Sequence, residues 1–200
     1  MRRALFLLCT WLWASPQALA DWRPVLTHEG IEVTEQPVEG RKVPMFRAVA
    51  TLAADPDRVL EVLQDIDQHT RWMPDLTETR VLRQTENEVW VYRLQNAPWP
   101  VSDRDMVVRS RLRVIVPGKD FRIDFDAVTL DEVPAKRGVV RVPYLQGHYQ
   151  IQALEPGRSR IVYEVDIDLG GTLPDWLASR VGRENPVNTV LGLRAQLARD

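Results

Sequence analysis

The stretch that decides the fold runs from residue 104 to residue 127 and reads RDMVVRSRLRVIVPGKDFRIDFDA. Apolar side chains alternate with charged or polar ones on both sides of a turn at residues 117–120. The apolar set is Met106, Val108, Leu112, Val114 and Val116 before the turn, and Phe121, Ile123, Phe125 and Ala127 after it. A period of two predicts an antiparallel β-hairpin with one dry and one wet face.

The four-residue turn also predicts the register of this hairpin. We expect Val116 to face Phe121 and Leu112 to face Phe125 on the apolar face. The outer face should then carry two ion pairs, Arg111–Asp126 and Arg113–Asp124. Exposed ion pairs contribute only about 0 to 1 kcal/mol each. We therefore interpret these arginines as groups that specify register rather than as a basic binding patch.

The segments before the hairpin contain short strands and one helix. Residues 21–54 include an alternating strand whose apolar face is Phe46, Ala48, Ala50 and Leu52. Asp55 at the N-cap and Pro56 at the first helical position predict a helix, which we expect to end near His69. Alternation returns over residues 77–168, with strands predicted at 139–151 and 160–168.

The last segment is helical. After two consecutive glycines, apolar residues at helical spacing predict an amphipathic helix that begins near Leu173, with a kink or restart at Pro186. The element order gives an α+β fold, in which a strongly curved antiparallel sheet has one helix across its concave face. Alternation alone leaves open whether the space between them is filled or hollow.

The N-terminus predicts export. Arg2 and Arg3 precede an apolar run, and Ala18-Leu19-Ala20 supplies a signal-peptidase site, so residues 1–20 are predicted to be a signal peptide and residues 21–200 a single domain. The apolar run is shorter than the roughly 18 to 20 residues that span a bilayer. We expect a periplasmic or secreted protein without cysteine, because Cys9 lies in the leader.

Charge and motif content exclude several functional classes. Without Arg2 and Arg3 the chain has 24 basic and 28 acidic side chains, a formal charge of −4, so we expect no nucleic-acid partner. His28, His69 and His148 lack metal-ligand spacing, and no nucleophile or phosphate-loop motif is present, so we expect neither metal nor cofactor.

Four segments together resemble the START (steroidogenic acute regulatory protein-related lipid transfer) domain of the helix-grip superfamily. They are RWMP at 71–74, WPVSDRD at 99–105, GVVRV at 138–142 and GGTLPDWL at 170–177. The resemblance implies a sheet wrapped around a long C-terminal helix, an internal tunnel for one lipid or sterol, and a gating loop at 96–102.

Residues predicted to bind the ligand follow from the inward parity and from this resemblance. They are Trp72, Trp99, Arg104, Val108, Ser110, Leu112, Phe125, Tyr144 and Trp176. Arg104 shares the inward parity and is expected either to anchor a ligand head group or to pair within the protein. The family's second inward arginine falls at Ser110 here, and its acidic neighbour falls near Val91, so we expect a less polar cavity.

These observations predict a monomer that binds one lipid, sterol or other apolar molecule, with transient membrane contact, and leave open whether it also transfers that molecule. Two alternatives stay open. The first is a helix-grip enzyme of the cyclase or aromatase type, for which Tyr92, Tyr144, Tyr163 and His148 are the candidate residues. The second is an interaction module with a filled interior. A cavity of roughly 300 to 1,000 Å³ would favour binding.

Overall fold

The computed structural model describes residues 22–199. Strands β1 (Arg23–His28), β2 (Ile31–Gln36) and β3 (Met45–Leu52) precede helix α1 (Pro56–Gln64), a 3-10 turn (Ile66–Gln68) and the short helix α2 (His69–Trp72). Strands β4 (Leu76–Gln84), β5 (Glu88–Gln95), β6 (Arg104–Val116) and β7 (Asp120–Val128) follow. The chain ends with β8 (Val140–Arg141), β9 (Tyr144–Glu155), β10 (Arg158–Asp168) and α3 (Asp175–Leu197).

One antiparallel sheet carries the whole fold, in the strand order β1-β2-β3-β10-β9-β7-β6-β5-β4. The exception is β8, which pairs in parallel with the start of β6. Helix α3 packs against β1, β2 and β3 and against both shorter helices. The predicted α+β fold, a curved sheet closed by a C-terminal helix, is confirmed. The alternating face of β3, from Phe46 to Leu52, is buried as predicted.

The first helix is shorter than expected. It ends at Gln64 rather than near His69, because Asp65 leaves helical geometry with φ −77° and ψ 76°. Asp55 does occupy the N-cap position before Pro56, but its carboxylate does not cap the helix. It accepts a hydrogen bond from the Gly157 N–H at 2.8 Å instead. This bond joins the start of α1 to the β9–β10 turn.

The predicted dry face of the β6–β7 hairpin is right except at its end, where Val114 and Val116 are exposed, and the predicted register is wrong by two residues. Val114 faces Phe121 and Leu112 faces Ile123, because an irregularity between Val114 and Val116 displaces the ladder. A shift of two preserves the side-chain parity. Phe121, Ile123 and Phe125 are accordingly buried.

The two predicted ion pairs nevertheless form on the outer face. Arg111 pairs with Asp126 and Arg113 pairs with Asp124, each reaching diagonally across the shifted ladder. Arg109 also pairs with Asp126, which lies directly opposite it. Long arginine side chains span the diagonal, so the same contacts fit either register.

The segment at 139–151 is two strands rather than one. Pro143 separates β8 from β9, since proline has no N–H to donate to a ladder. At the other end of the chain, Pro186 lies inside α3, which is a single helix rather than two. Gly192 lets α3 approach closely, because a Cβ at this position would lie 2.1 Å from the Trp72 carbonyl oxygen.

The predicted signal peptide and its cleavage site lie outside the described residues. Within residues 22–199, no helix is long and apolar enough to cross a membrane.

Candidate ligand cavity

Two adjoining chambers lie between the concave face of the sheet and the helices. The inner chamber, of about 100 Å³, lies beneath α3. The outer chamber, of about 240 Å³, lies between α1 and the β4–β5 hairpin. Both are lined by Arg93, Ser110 and Tyr149, which therefore form the waist between them. The two volumes together reach the low end of the usual range for ligand sites.

Most of the inner chamber is apolar. Its wall combines inward residues of the sheet with residues of α3, and includes Phe46, Leu76, Met106, Phe125, Leu145, Val165, Ile167, Leu169 and Val181. These side chains belong to the buried core or pack against it. The chamber therefore offers a dry environment to a hydrocarbon group.

The outer chamber reaches the protein surface. Its inner wall contains Leu63, Leu112 and Ile123. Its rim is formed by residues 64–67 and 84–88, and most of these residues are exposed. This opening lies between the end of α1 and the β4–β5 turn. The resemblance implied a gating loop at 96–102, whereas this opening lies elsewhere on the surface.

Arg93 is the functional candidate that sequence reasoning missed. It lies on β5 opposite Met106 of β6, with its side chain on the concave face. One guanidinium nitrogen lies 3.2 Å from His69 Nδ1, whereas Nε has no partner among the described residues. Burial lowers the pKa of Arg93, an effect that nearby Tyr149 and Tyr163 oppose. Part of its surface remains accessible because it borders both chambers.

His69 is buried behind Arg93 and is neutral. Its Nε2 lies 3.1 Å from the Leu63 carbonyl oxygen, which can only accept, so the ring proton is on Nε2. Nδ1 then accepts the hydrogen bond from Arg93. Burial, and next the charge of Arg93, lower the pKa of His69 to about 3. Such an imidazole is too weak a base for proton abstraction at neutral pH.

Two tyrosines complete the polar part of the cavity. Tyr149 and Tyr163 stack with ring centroids 4.7 Å apart, and Phe125 lies 5.5 Å from Tyr149. Burial raises the pKa of Tyr163 to about 12 and raises that of Tyr149 well above its usual range. Both hydroxyls therefore stay protonated. We expected a less polar cavity, and the structure adds a guanidinium and two phenols.

Five of the nine predicted site residues lie in or near the cavity. Ser110, Leu112 and Phe125 line it. Val108 is buried in the same core without lining either chamber. Trp72 packs edge-on against His69, with ring centroids 5.3 Å apart. The alternating pattern of the β6–β7 hairpin therefore predicted correctly that Ser110, Leu112 and Phe125 line the cavity.

The other four predicted site residues lie elsewhere. Trp99 is 91% exposed and Trp176 is 50% exposed. Tyr144 stacks under the Arg41 guanidinium, and its hydroxyl donates to Gln146. Arg104 is buried, but its guanidinium donates to the carbonyl oxygens of Ser102 and Gly170 and lines neither chamber. This is the internal pairing that the sequence had left open.

The acidic residues beside Arg104 hold the neighbouring loops. Asp103 accepts a hydrogen bond from the Ala97 N–H at 2.9 Å. The fully buried Asp105 binds Arg141 through both carboxylate oxygens, at 2.7 and 3.1 Å. Tyr92 donates its hydroxyl to the same carboxylate. The segments at 99–105 and 138–142 are therefore joined by a structural ion pair.

Of the four candidates for catalysis within the described residues, Tyr163 lines the inner chamber and the other three do not. Tyr92 and Tyr144 line neither chamber, and His148 lies in a groove on the outer face. Among the described side chains, no cluster of His, Cys, Asp or Glu is placed to hold a metal ion. The cavity combines an apolar wall with the polar side chains of Arg93, Ser110, Tyr149 and Tyr163.

A curved sheet closed by one long helix over an internal cavity defines a helix-grip protein. The sequence model of the START domain matches residues 17–199, so the chain belongs to the START domain family. A solved bacterial relative, the STAR-related lipid transfer protein of Xanthomonas axonopodis, is 32% identical with a TM-score of 0.80. That match covers 88% of this chain and 98% of the other. The resemblance found in the four sequence segments is confirmed.

Three further proteins are similar to this chain in sequence or fold. The uncharacterized protein PA1579 of Pseudomonas aeruginosa is 29% identical over 88% of this chain and 86% of its own length. Human Rho GTPase-activating protein 7 is 29% identical over 80% of this chain, which spans only 10% of that protein. The Zhui aromatase/cyclase of Streptomyces sp. R1128 shares the fold at a TM-score of 0.60 and 15% identity, covering 78% of this chain and 93% of the other. That likeness shows the fold alone.

Proposed function

We propose that this protein binds one lipid or other apolar molecule in the cavity between the sheet and α3, without catalysis. The single observation that carries this proposal is the pair of adjoining chambers that meet at Ser110. A filled interior would have favoured an interaction module instead. The volumes of about 100 and about 240 Å³ suit a single-chain molecule better than a bulky one.

Export and monomeric action are part of the same proposal. The signal-peptide features of residues 1–20 support secretion or a periplasmic location. N-terminal sequencing of exported protein should begin at Asp21 or within a residue or two, and an intact leader on membrane-bound protein would contradict this. Transient membrane contact through Trp99 is consistent with its exposed indole.

The binding proposal is tested by filling the waist of the cavity. Ser110→Trp places an indole where the two chambers meet, so we expect lipid uptake to fall at least tenfold while the protein stays folded. A solid core would instead lose roughly 1 to 3 kcal/mol through overpacking. Uptake of a fluorescent fatty acid and thermal unfolding should be measured on the same samples.

Val114→Trp is the matched control. Position 114 lies on the same strand and has the same parity, but Val114 is largely exposed at the end of the hairpin. This variant should bind as the wild type does. Molecules that co-purify from the native host should be identified by mass spectrometry in parallel. A wild-type protein that takes up no apolar molecule, together with a sharp loss of stability in Ser110→Trp, would refute lipid binding.

A further inference from the structure

The positive charge of Arg93 has no ion-pair partner among residues 22–199. None of the ion pairs within residues 22–199 involves Arg93. A guanidinium has five N–H donors, yet its one side-chain hydrogen bond goes to His69 Nδ1, at 3.2 Å. Its Nε lacks a partner among the described groups. The charge lies at the waist, where both chambers reach it.

The neighbours of Arg93 cannot neutralise it. His69 is a neutral imidazole whose Nε2 proton is used by the Leu63 carbonyl, so it contributes an acceptor but no negative charge. Tyr149 and Tyr163 are protonated phenols on the same wall. The remaining wall of the inner chamber is mainly hydrocarbon. A buried charge without a partner is costly, and an anion placed beside it would offset that cost.

We propose that the ligand is a single-chain amphiphile whose anionic head group, a carboxylate or a phosphate, binds the Arg93 guanidinium at the waist. Its hydrocarbon chain would lie in the inner chamber beneath α3. This inference rests on the proposed function and names the class of ligand. Arginine suits the task because its planar fork of donors matches the two oxygens of a carboxylate or phosphate. Tyr149 and Tyr163 line the same chamber and carry further hydroxyl groups that can donate.

The rim of the outer chamber carries the opposite charge. Asp65, Asp67 and Glu86 line it and are exposed, whereas Glu88 is paired with Arg111. Solvent and salt screen exposed carboxylates, while the buried guanidinium acts at close range in a medium of low polarity. The acidic rim therefore favours a cationic head group, whereas the Arg93 guanidinium favours an anionic one. If the rim were dominant, the preferred ligand would be a cationic amphiphile.

Four probes with the same twelve-carbon chain separate these cases, measured by isothermal titration calorimetry on the purified protein. They are dodecanoate, dodecyl phosphate, 1-dodecanol and dodecylamine. We expect at least one of the two anions to bind tenfold or more tighter than the alcohol, and the amine to bind more weakly than the alcohol. The better of the two anions identifies the head group as a carboxylate or a phosphate. Ser110→Trp should abolish binding of all four, which assigns the binding to the cavity.

Arg93→Met should remove the preference, so that the anions bind no tighter than 1-dodecanol while the alcohol keeps its affinity. Arg93→Lys retains the charge and should keep part of the preference for anions. It replaces Arg93→Met in this test if the methionine variant fails to fold. Arg137→Met makes the same change at an exposed position outside both chambers and should leave the preference intact.

Three results would overturn the inference. They are equal binding of anion and alcohol by the wild type, tighter binding of the amine, or a preference for anions that survives in Arg93→Met. In each of these cases the protein still binds an apolar chain, so lipid binding itself would stand. If none of the four probes binds in the cavity, both proposals fail.

Discussion

Two partly buried arginines, Arg93 and Arg141, lie on opposite faces of the same sheet, and their surroundings differ. Arg141 donates to both carboxylate oxygens of Asp105 and to the carbonyl oxygens of Val133 and Pro134. Within the described part of the chain, the Arg93 side chain makes one hydrogen bond, to a neutral imidazole. The hydrogen bond that Arg141 donates to Asp105 raises the pKa of Arg141, whereas burial lowers the pKa of Arg93.

The two arginines differ in whether the protein itself balances their charge. The Asp105–Arg141 pair lies beside a small cluster of Tyr92, Val107 and Val133 on the convex face, and its charges are balanced by the protein itself. The cavity side leaves its cation unbalanced at the meeting point of two chambers. Balanced charges hold loops in place, while an unbalanced one next to open space favours a ligand.

The largest effect is expected from breaking the balanced pair. Asp105→Ala leaves Arg141 and the Tyr92 hydroxyl without their carboxylate, so the free energy of unfolding should fall by about 3 kcal/mol. Urea denaturation measures this value. Asp131→Ala, at an exposed position in the adjoining loop, is the control and should change stability by less than about 0.5 kcal/mol. A fall of similar size in both variants would show that the Asp105–Arg141 pair makes no specific contribution to stability.

A smaller effect is expected from acid, through the one partner of Arg93. The folded protein resists protonation of His69 until the pH reaches about 3, whereas the unfolded chain takes up the proton near pH 6.5. Stability should therefore decrease as the pH falls between these values, by about 2 kcal/mol from pH 7 to pH 5.

Urea denaturation across that pH range checks the contribution of His69. His69→Gln removes the titrating group, so its stability should depend less steeply on pH than that of the wild type. His28→Gln alters an exposed histidine instead and should keep the wild-type slope. An unchanged slope in His69→Gln would mean that this imidazole does not stay neutral in the fold.

The smallest effect has the opposite sign. Arg93→Met replaces an unbalanced buried charge by an apolar side chain of similar length, so the ligand-free protein should gain about 1 kcal/mol of stability. Thermal unfolding of delipidated protein measures this gain. Arg137→Met, on the surface, should have no measurable effect. A marked loss of stability in Arg93→Met would show that the protein balances this charge after all, and the contrast with Arg141 would disappear.

The hairpin shows what alternation can and cannot predict. The pattern from Met106 to Phe125 predicted which side chains face the core, since parity is a local property of a strand. It did not predict the irregularity between Val114 and Val116, which displaces the register by two residues. A bulge changes the pairing without changing the apolar pattern near it, so counting from the turn gives a register that the ladder does not keep.

Arg93 was missed although a signal for it was present. It lies two residues after Val91, which had already been placed near the inner face, and the same parity puts Arg93 inward. The side chains that surround Arg93 could not be predicted from the sequence. The pairing with His69 joins β5 to a short helix that was expected to be the end of α1. Contacts between elements of uncertain length cannot be read from spacing alone.

The close approach of α3 to α2 divides the long helix into two mechanical parts. Beyond Pro186, Gly192 lies against the Trp72 backbone and Arg194 donates to the carbonyl oxygens of Glu29 and Thr51. Before Pro186, the helix borders the inner chamber through Val181 and Asn185. The C-terminal part is thus held by these backbone contacts, and the start of α3 is held by Lys42, which donates to the Leu173 carbonyl oxygen and to Asp175. We therefore expect any flexing of α3 that admits a ligand in the turns between these two anchors.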